Sequence, residues 1–365
     1  MERIEKLAKI IVHYSLKVKE KEKVLITYQG VESMPLVKSI VKEIISVHGV
    51  PELDYQNQDI NNYIRENLDD EIINSKVNKM KYEIENFDCF VKLVYRKSDY
   101  YDKNIDKEMQ KKLLESLDPY KEVQVNERRW VLLNYPSLVD SNKAHMTPED
   151  FYNFSLDTMT VDYEKMYSDA LPLKELMEKT DKVRIVALNT DITFSIKGLP
   201  AIICAGKSNI PDGECFTAPI KDSVNGTITY NVPSPYHGEI FTNVSLTFKD
   251  GKIIKASSNN NDKLREIFET DDGARYVGEF SLGFNPLIKE PMGDILFDEK
   301  IAGSLHFTPG CSYDECPNGN KSSIHWDLVL IQRPEYGGGE VYFDNVLIRK
   351  DGLFVLPELE KLNYK

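Results

Sequence analysis

Apolar positions along the first 180 residues follow two alternating rhythms. Ile4, Leu7, Ala8 and Ile11 fall at helical spacing. KVLITY (23–28) is a short apolar run that predicts a strand. Leu36, Val37, Ile40, Val41, Ile44 and Ile45 predict a second helix, with Gly49 positioned to end it. PELDY (51–55), DCFVKLVY (88–95) and RWVLLNYP (129–136) are further strand candidates. The β-α-β order predicts an α/β domain with a mostly parallel, three-layer sheet. Thr147 and Pro148 read as the N-cap and first residue of a helix, so a helical region over 148–179 is expected to link the two halves.

From Asp181 the rhythm changes to short strands. KVRIVAL (182–188), DITFSI (191–196), GEIFTNVSLTF (238–248), GKIIKAS (251–257) and EVYFDNVLIR (340–349) alternate or run apolar, and Asp250-Gly251 is a hairpin signal. The expected organisation is an α/β domain over 1–180 and a β-rich, twisted and partly closed catalytic domain over 181–365.

Composition narrows the function. The net charge of −13 over 365 residues repels phosphate backbones, which argues against nucleic acid. No run of about 18 apolar residues marks a membrane span, and the N-terminus lacks the continuous apolar core of a signal peptide. Cys89, Cys204, Cys215, Cys311 and Cys316 are an odd, sparse set that reads as reduced thiols in the cytoplasm. No G-x-G-x-x-G follows the first strand, so a dinucleotide site is not expected.

Candidate chemistry gathers in the second half. In IHWDLVLI (324–331), strand alternation would project His325 and Asp327 together and Trp326 oppositely. Such a pair suits a divalent metal, or equally a buried His–Asp hydrogen bond. Glu279 sits inside the apolar run GEFSLG (278–283), and Glu214 follows a Pro-Asp-Gly turn. Buried carboxylates in such places need a cation or donors. Asp298 and Glu299 precede His306 across Gly303. His13 and His48 have no evident partners in their helices, His145 lies in a loop, and His237 lies in the turn SPYHG.

The blocks NTDITFSIKG (189–198), IPDGECFTAP (210–219), SVNGTITY (223–230), GARYVGEFSLGFNP (273–286), ILFDEKIAGSLHFTPG (295–310) and NKSSIHWDLVLIQ (320–332) together resemble the M29 family of metallo-aminopeptidases, the aminopeptidase T/S group. The resemblance implies metal ligation by Glu214, Glu279, His306, His325 and Asp327, with Glu299 as a further ligand. It also implies a catalytic role for Tyr313, whose phenol would stabilise an oxyanion, and for Glu214 or Glu279 in moving a proton. Two divalent ions (zinc, cobalt or manganese) would activate a water to release N-terminal residues from peptide substrates, in a homodimer. The alternatives are another metal-dependent amide or ester hydrolase, or a noncatalytic metal- or peptide-binding homologue.

Overall fold

The computed structural model describes residues 2–98 and 105–364. The chain forms two compact units: Met1–Val161 with Gly206–Pro211, and Asp162–Ala205 with Asp212–Lys365.

The first unit holds a five-stranded parallel sheet. Its strands lie in the order Val50–Gln56, Lys23–Gln29, Cys89–Val94, Arg129–Asn134 and Asn209–Ile210. Parallel neighbours need crossovers, which the intervening helices supply. Helix Glu2–Lys9 packs on Met34–Ser46, and Asp70–Asn86 packs on Lys107–Glu127. The predicted stop at Gly49 is present, its N–H bonding the Ile44 carbonyl at 2.9 Å. Thr147 caps Pro148–Met159 by accepting from the Asp150 N–H. The helical region 148–179 is two helices, Pro148–Met159 and Tyr163–Lys179, one in each unit.

The second unit is built on antiparallel sheets of eight and five strands, with a two-stranded ribbon. The terminal strands of the eight-stranded sheet, Lys252–Ser257 and Leu353–Phe354, do not pair with each other among the described residues; the sheet is open rather than partly closed. Two predicted long strands are each broken. GEIFTNVSLTF divides at Asn243, which has a φ of 52°, into Glu239–Phe241 and Ser245–Lys249 on different sheets. EVYFDNVLIR is a hairpin, because Asp344 and Asn345 both take positive φ, as the tight turns that suit strand twist require. Asp250-Gly251 turns as expected, also with both φ positive.

The five-stranded sheet runs Val329–Ile331, Ser304–Pro309, Val277–Gly283, Glu214–Thr217 and Ile202–Cys204. Registers of Ser281 with His306 and Phe216, and of Leu282 with Leu305 and Cys215, sort its side chains by period two. One face carries Phe280, Leu282, Leu305 and Phe307. Phe280 and Phe307 lie 5.0 and 4.9 Å (ring centroids) from Phe194 of the eight-stranded sheet. The other face carries Glu214, Glu279, Ser281, His306 and Thr308. The hydrophobic core between the sheets therefore fixes where the polar face points.

A bulge at Gly278 shifts register between Val277 and Glu279. A Cβ there would lie 2.1 Å from the Cys311 carbonyl oxygen. Gly278→Ala is expected to destabilise the chain by roughly 1–3 kcal/mol through overpacking, read as a lowered urea midpoint. An unchanged midpoint would contradict this close approach.

Candidate metal centre

Three neighbouring strands present Glu214, Glu279 and His306 side by side, all buried. His325 and Asp327 arrive from the segment that leads into Val329–Ile331. The expected strand 324–331 is regular only over Val329–Ile331; His325 is held by an isolated bridge to Gly310. Alternation nonetheless persists through the extended backbone. His325 and Asp327 face Glu279, while Trp326 turns away to stack on Tyr236 at 4.6 Å and to bond Ser234.

Glu279 is the middle of the cluster. His306 Nε2 lies 3.0 Å from its Oε1, and His325 Nε2 lies 3.1 Å from its Oε2. His325 Nε2 is also 3.2 Å from Asp327 Oδ1, and His306 Nε2 is 3.3 Å from Glu214 Oε2. Hydroxyls finish the shell: Ser281 donates to Glu214 Oε2 at 2.8 Å and Thr308 to Asp327 Oδ1 at 2.7 Å. Six of the sequence-predicted residues, Glu214, Glu279, Glu299, His306, His325 and Asp327, thus meet in one place. Tyr313 joins their edge, its ring centroid 4.6 Å from that of His325 and 5.5 Å from that of Phe216.

Among the described residues, the donor atoms fall into overlapping sets close enough together that each could hold a metal ion: Glu279, His325 and Asp327; Glu214, Glu279 and His306; Glu299, His306 and Asp327; and Cys204, Asp212 and Glu214. The histidine at the rim is prepared for ligation. Its Nδ1 lies 2.8 Å from the Cys311 carbonyl oxygen. A carbonyl only accepts, so Nδ1 carries a proton and Nε2 is the nitrogen left to serve as a ligand whenever the ring gives up its second proton. That Nε2 is buried and makes no aligned hydrogen bond despite its short contacts. His306 lacks such an anchor, since its buried Nδ1 has no partner.

Charge sets the protonation of the metal-free cluster. Burial alone would raise Glu279, yet contact with His306 and then His325 brings it below its ordinary value. Burial is likewise outweighed at Asp327 by the charge of His325, which holds its carboxyl far down. Burial would lower the histidines, but Glu214 and Glu279 raise His306, and Asp327 and Glu279 raise His325 well up. Tyr313 is 43% exposed as a whole residue, but desolvation on its cluster side and the charges of Glu279, Asp327 and Glu214 push its phenol above the usual value, so it stays a donor at neutral pH.

Sequence reasoning missed Lys300. Its side chain is wholly buried, with Nζ 3.1 Å from Glu214 Oε1 and in contact with Glu299 Oε1. The signal was there in Asp298-Glu299-Lys300, a charged triplet between the apolar Ile295–Phe297 and Ile301-Ala302. His13, read as unpartnered, pairs with Glu43 at 2.9 Å. His48, His145 and His237 take positive φ and remain outside the cluster. All five cysteines are free, and no described helix is long and apolar enough to cross a membrane.

A parallel-sheet unit joined in sequence to an antiparallel unit, with imidazoles and carboxylates converging on one buried sheet face, has the makings of a metal-dependent protein. The chain belongs to the thermophilic metalloprotease (M29) family, Peptidase_M29, whose profile matches residues 1–342. Parts of it are similar to Aminopeptidase 2 of Geobacillus stearothermophilus (44% identity over 166 residues, 40% of this chain and 37% of that protein). Parts are also similar to Aminopeptidase AmpS of Bacillus subtilis (strain 168), with 35% identity over 127 residues, 33% of this chain and 30% of that protein. The matched stretches therefore span well under half the length of these curated relatives. The fold is similar to wild-type AmpT from Thermus thermophilus, with a TM-score of 0.79 at 17% identity over 97% of this chain and 99% of that one.

A pH dependence follows for the metal-free chain. The raised His325 contributes stability that is complete below about pH 6.5 and is lost as pH rises through its elevated folded value. Asp327 contributes stability above about pH 4 that is lost on acidification. The Tm of chelated protein is expected to fall from pH 6 to 9 more steeply than that of His325→Gln. Equal slopes would contradict the assignment.

Proposed function

We propose that this chain is a metal-dependent aminopeptidase that releases N-terminal amino acids from peptides. The observation that carries the reading is the convergence of Glu279, His325 and Asp327 donors beside Glu214, His306 and Tyr313; membership of a metalloprotease family supports it. The donors are the nitrogen and oxygen atoms that zinc, cobalt and manganese accept.

A divalent ion held there supplies Lewis acidity toward a scissile carbonyl and toward water. The chain's own residues do the rest. Thr308 and the Cys311 carbonyl fix Asp327 and His325 so that their donor atoms keep one geometry. Tyr313 offers a protonated phenol to the developing oxyanion. Glu214 or Glu279, whose oxygens lie 3.3 and 3.0 Å from His306 Nε2, carries the proton to the leaving amine. The excess of carboxylates attracts the free ammonium of the substrate, which restricts cleavage to the N-terminus. The reading includes a homodimer acting in the cytoplasm.

The test is hydrolysis of a peptide and its Nα-acetylated twin, before and after chelation, with Zn²⁺, Co²⁺ or Mn²⁺ restored. Stepwise loss of residues from the free peptide alone, abolished by chelation, is expected. Cleavage of both would favour another amide or ester hydrolase, and cleavage of neither by metal-loaded protein would favour a noncatalytic binding homologue. Tyr313→Phe is expected to lower kcat about 10²-fold at unchanged metal content. Full activity in that variant would remove Tyr313 from the mechanism.

A further inference from the structure

Tyr313 reaches the cluster from a segment that is neither helix nor strand. Surface segments of this kind are ordinarily mobile, yet a phenol that serves a reaction has to stand still. Tyr313, Asp314, Glu315 and Pro317 are exposed, and Cys316 between them is buried. A run of exposed residues with one side chain driven inward is held where that side chain enters the core.

Cys316 is tied in both directions. Its N–H bonds the Tyr313 carbonyl at 3.1 Å, which closes the turn that carries the phenol. Its thiol accepts from the Ala218 N–H at 3.0 Å and donates to the Pro200 carbonyl at 3.1 Å. It packs with Phe216 and Ala218, and Phe216 is also the ring that Tyr313 meets. A second side chain pins the same segment. Asn318 Nδ2 donates to the carbonyls of Pro219 at 2.8 Å and Val277 at 2.7 Å, and its Oδ1 accepts from the Asn320 N–H at 2.9 Å. Pro219 lies just past strand Glu214–Thr217, and Val277 begins strand Val277–Gly283. The segment that bears Tyr313 is therefore fastened to the two strands that bear Glu214 and Glu279.

We propose that Cys316 and Asn318 are positioning residues for Tyr313, which rests on the aminopeptidase reading of the site. They hold the phenol beside His325 in one place, so that no loop has to be ordered at each turnover. Neither side chain needs to touch substrate for this. A reacting group displaced by about 1 Å can lose about 10²-fold in rate, and the turn from Tyr313 to Cys316 is short enough to pass a movement of the thiol directly to the phenol. The role is one of hydrogen bonding and fit. A serine hydroxyl can accept from Ala218 and donate to Pro200 as the thiol does, whereas a methyl group can do neither.

The experiment compares the metal-loaded full chain with Cys316→Ala, Cys316→Ser, Asn318→Ala, Tyr313→Phe and the double variant Tyr313→Phe/Cys316→Ala. Peptide hydrolysis, metal content and amide hydrogen exchange over 311–320 are measured for each. Cys316→Ala is expected to lower kcat roughly 10-fold to 10²-fold, with KM and metal content unchanged and faster exchange over 311–320. Cys316→Ser is expected to restore both rate and protection. The double variant is expected to be no slower than Tyr313→Phe, because a residue that acts through the phenol has nothing left to position. Full kcat in Cys316→Ala, or an equal further loss when the phenol is already gone, would overturn the inference. If Cys316→Ala does not fold, Asn318→Ala takes its place with the same expected and contrary results. A folded, metal-loaded wild type that cleaves no peptide would defeat the aminopeptidase reading instead. Exchange then decides the pins: faster exchange over 311–320 in Cys316→Ala supports them, and unchanged exchange overturns them.

Discussion

A carboxylate cannot be buried cheaply without a cation. Removing one from water costs several kcal/mol even after the protein relaxes, more than the roughly 1.5–3 kcal/mol that burial of one Phe side chain returns. Glu214, Glu279 and Glu299 are all buried in this chain, with Asp327 beside them. The arrangement holds because His306, His325 and Lys300 lie within contact of their oxygens. The carboxylates raise both imidazoles, so their protonated forms are favoured as the source of positive charge. A bound metal would compete with those protons, which would couple its affinity to pH.

The geometry that gathers these groups is a property of the sheet rather than of the site. Period-two alternation along Val277–Gly283 and Ser304–Pro309 sends Phe280 and Phe307 into the core against Phe194. The same alternation leaves Glu279 and His306 no choice but the opposite face. The aromatic packing between the sheets therefore sets the positions of the polar donors, and the Gly278 bulge lets the chain at Cys311 come close enough to anchor His325. Stability and function are coupled here through a few backbone contacts.

Much of this was legible in the sequence. The parallel unit followed from helix and strand rhythms, and Thr147-Pro148 and Asp250-Gly251 marked local structure that the fold contains. The His325-x-Asp327 pair was readable because alternation survives in extended backbone even where no regular strand forms. What escaped had physical reasons. Asp344-Asn345 makes a hairpin turn without a glycine, since Asn and Asp tolerate positive φ. Lys300, next to the predicted Glu299, looks like part of an exposed charged turn until the apolar residues on both sides bury it. His13 meets Glu43 only through tertiary packing, which spacing within its own helix does not reveal.

The central claim, that this cluster is a metal centre, is tested most directly by anomalous diffraction from crystals grown with Zn²⁺ or Mn²⁺ and measured on both sides of the metal's absorption edge. The account predicts an anomalous peak bounded by Glu279, His325 and Asp327, with His325 Nε2 as a ligand. An ordered cluster in which the histidines and carboxylates remain paired with each other, with no anomalous peak among them, would contradict it.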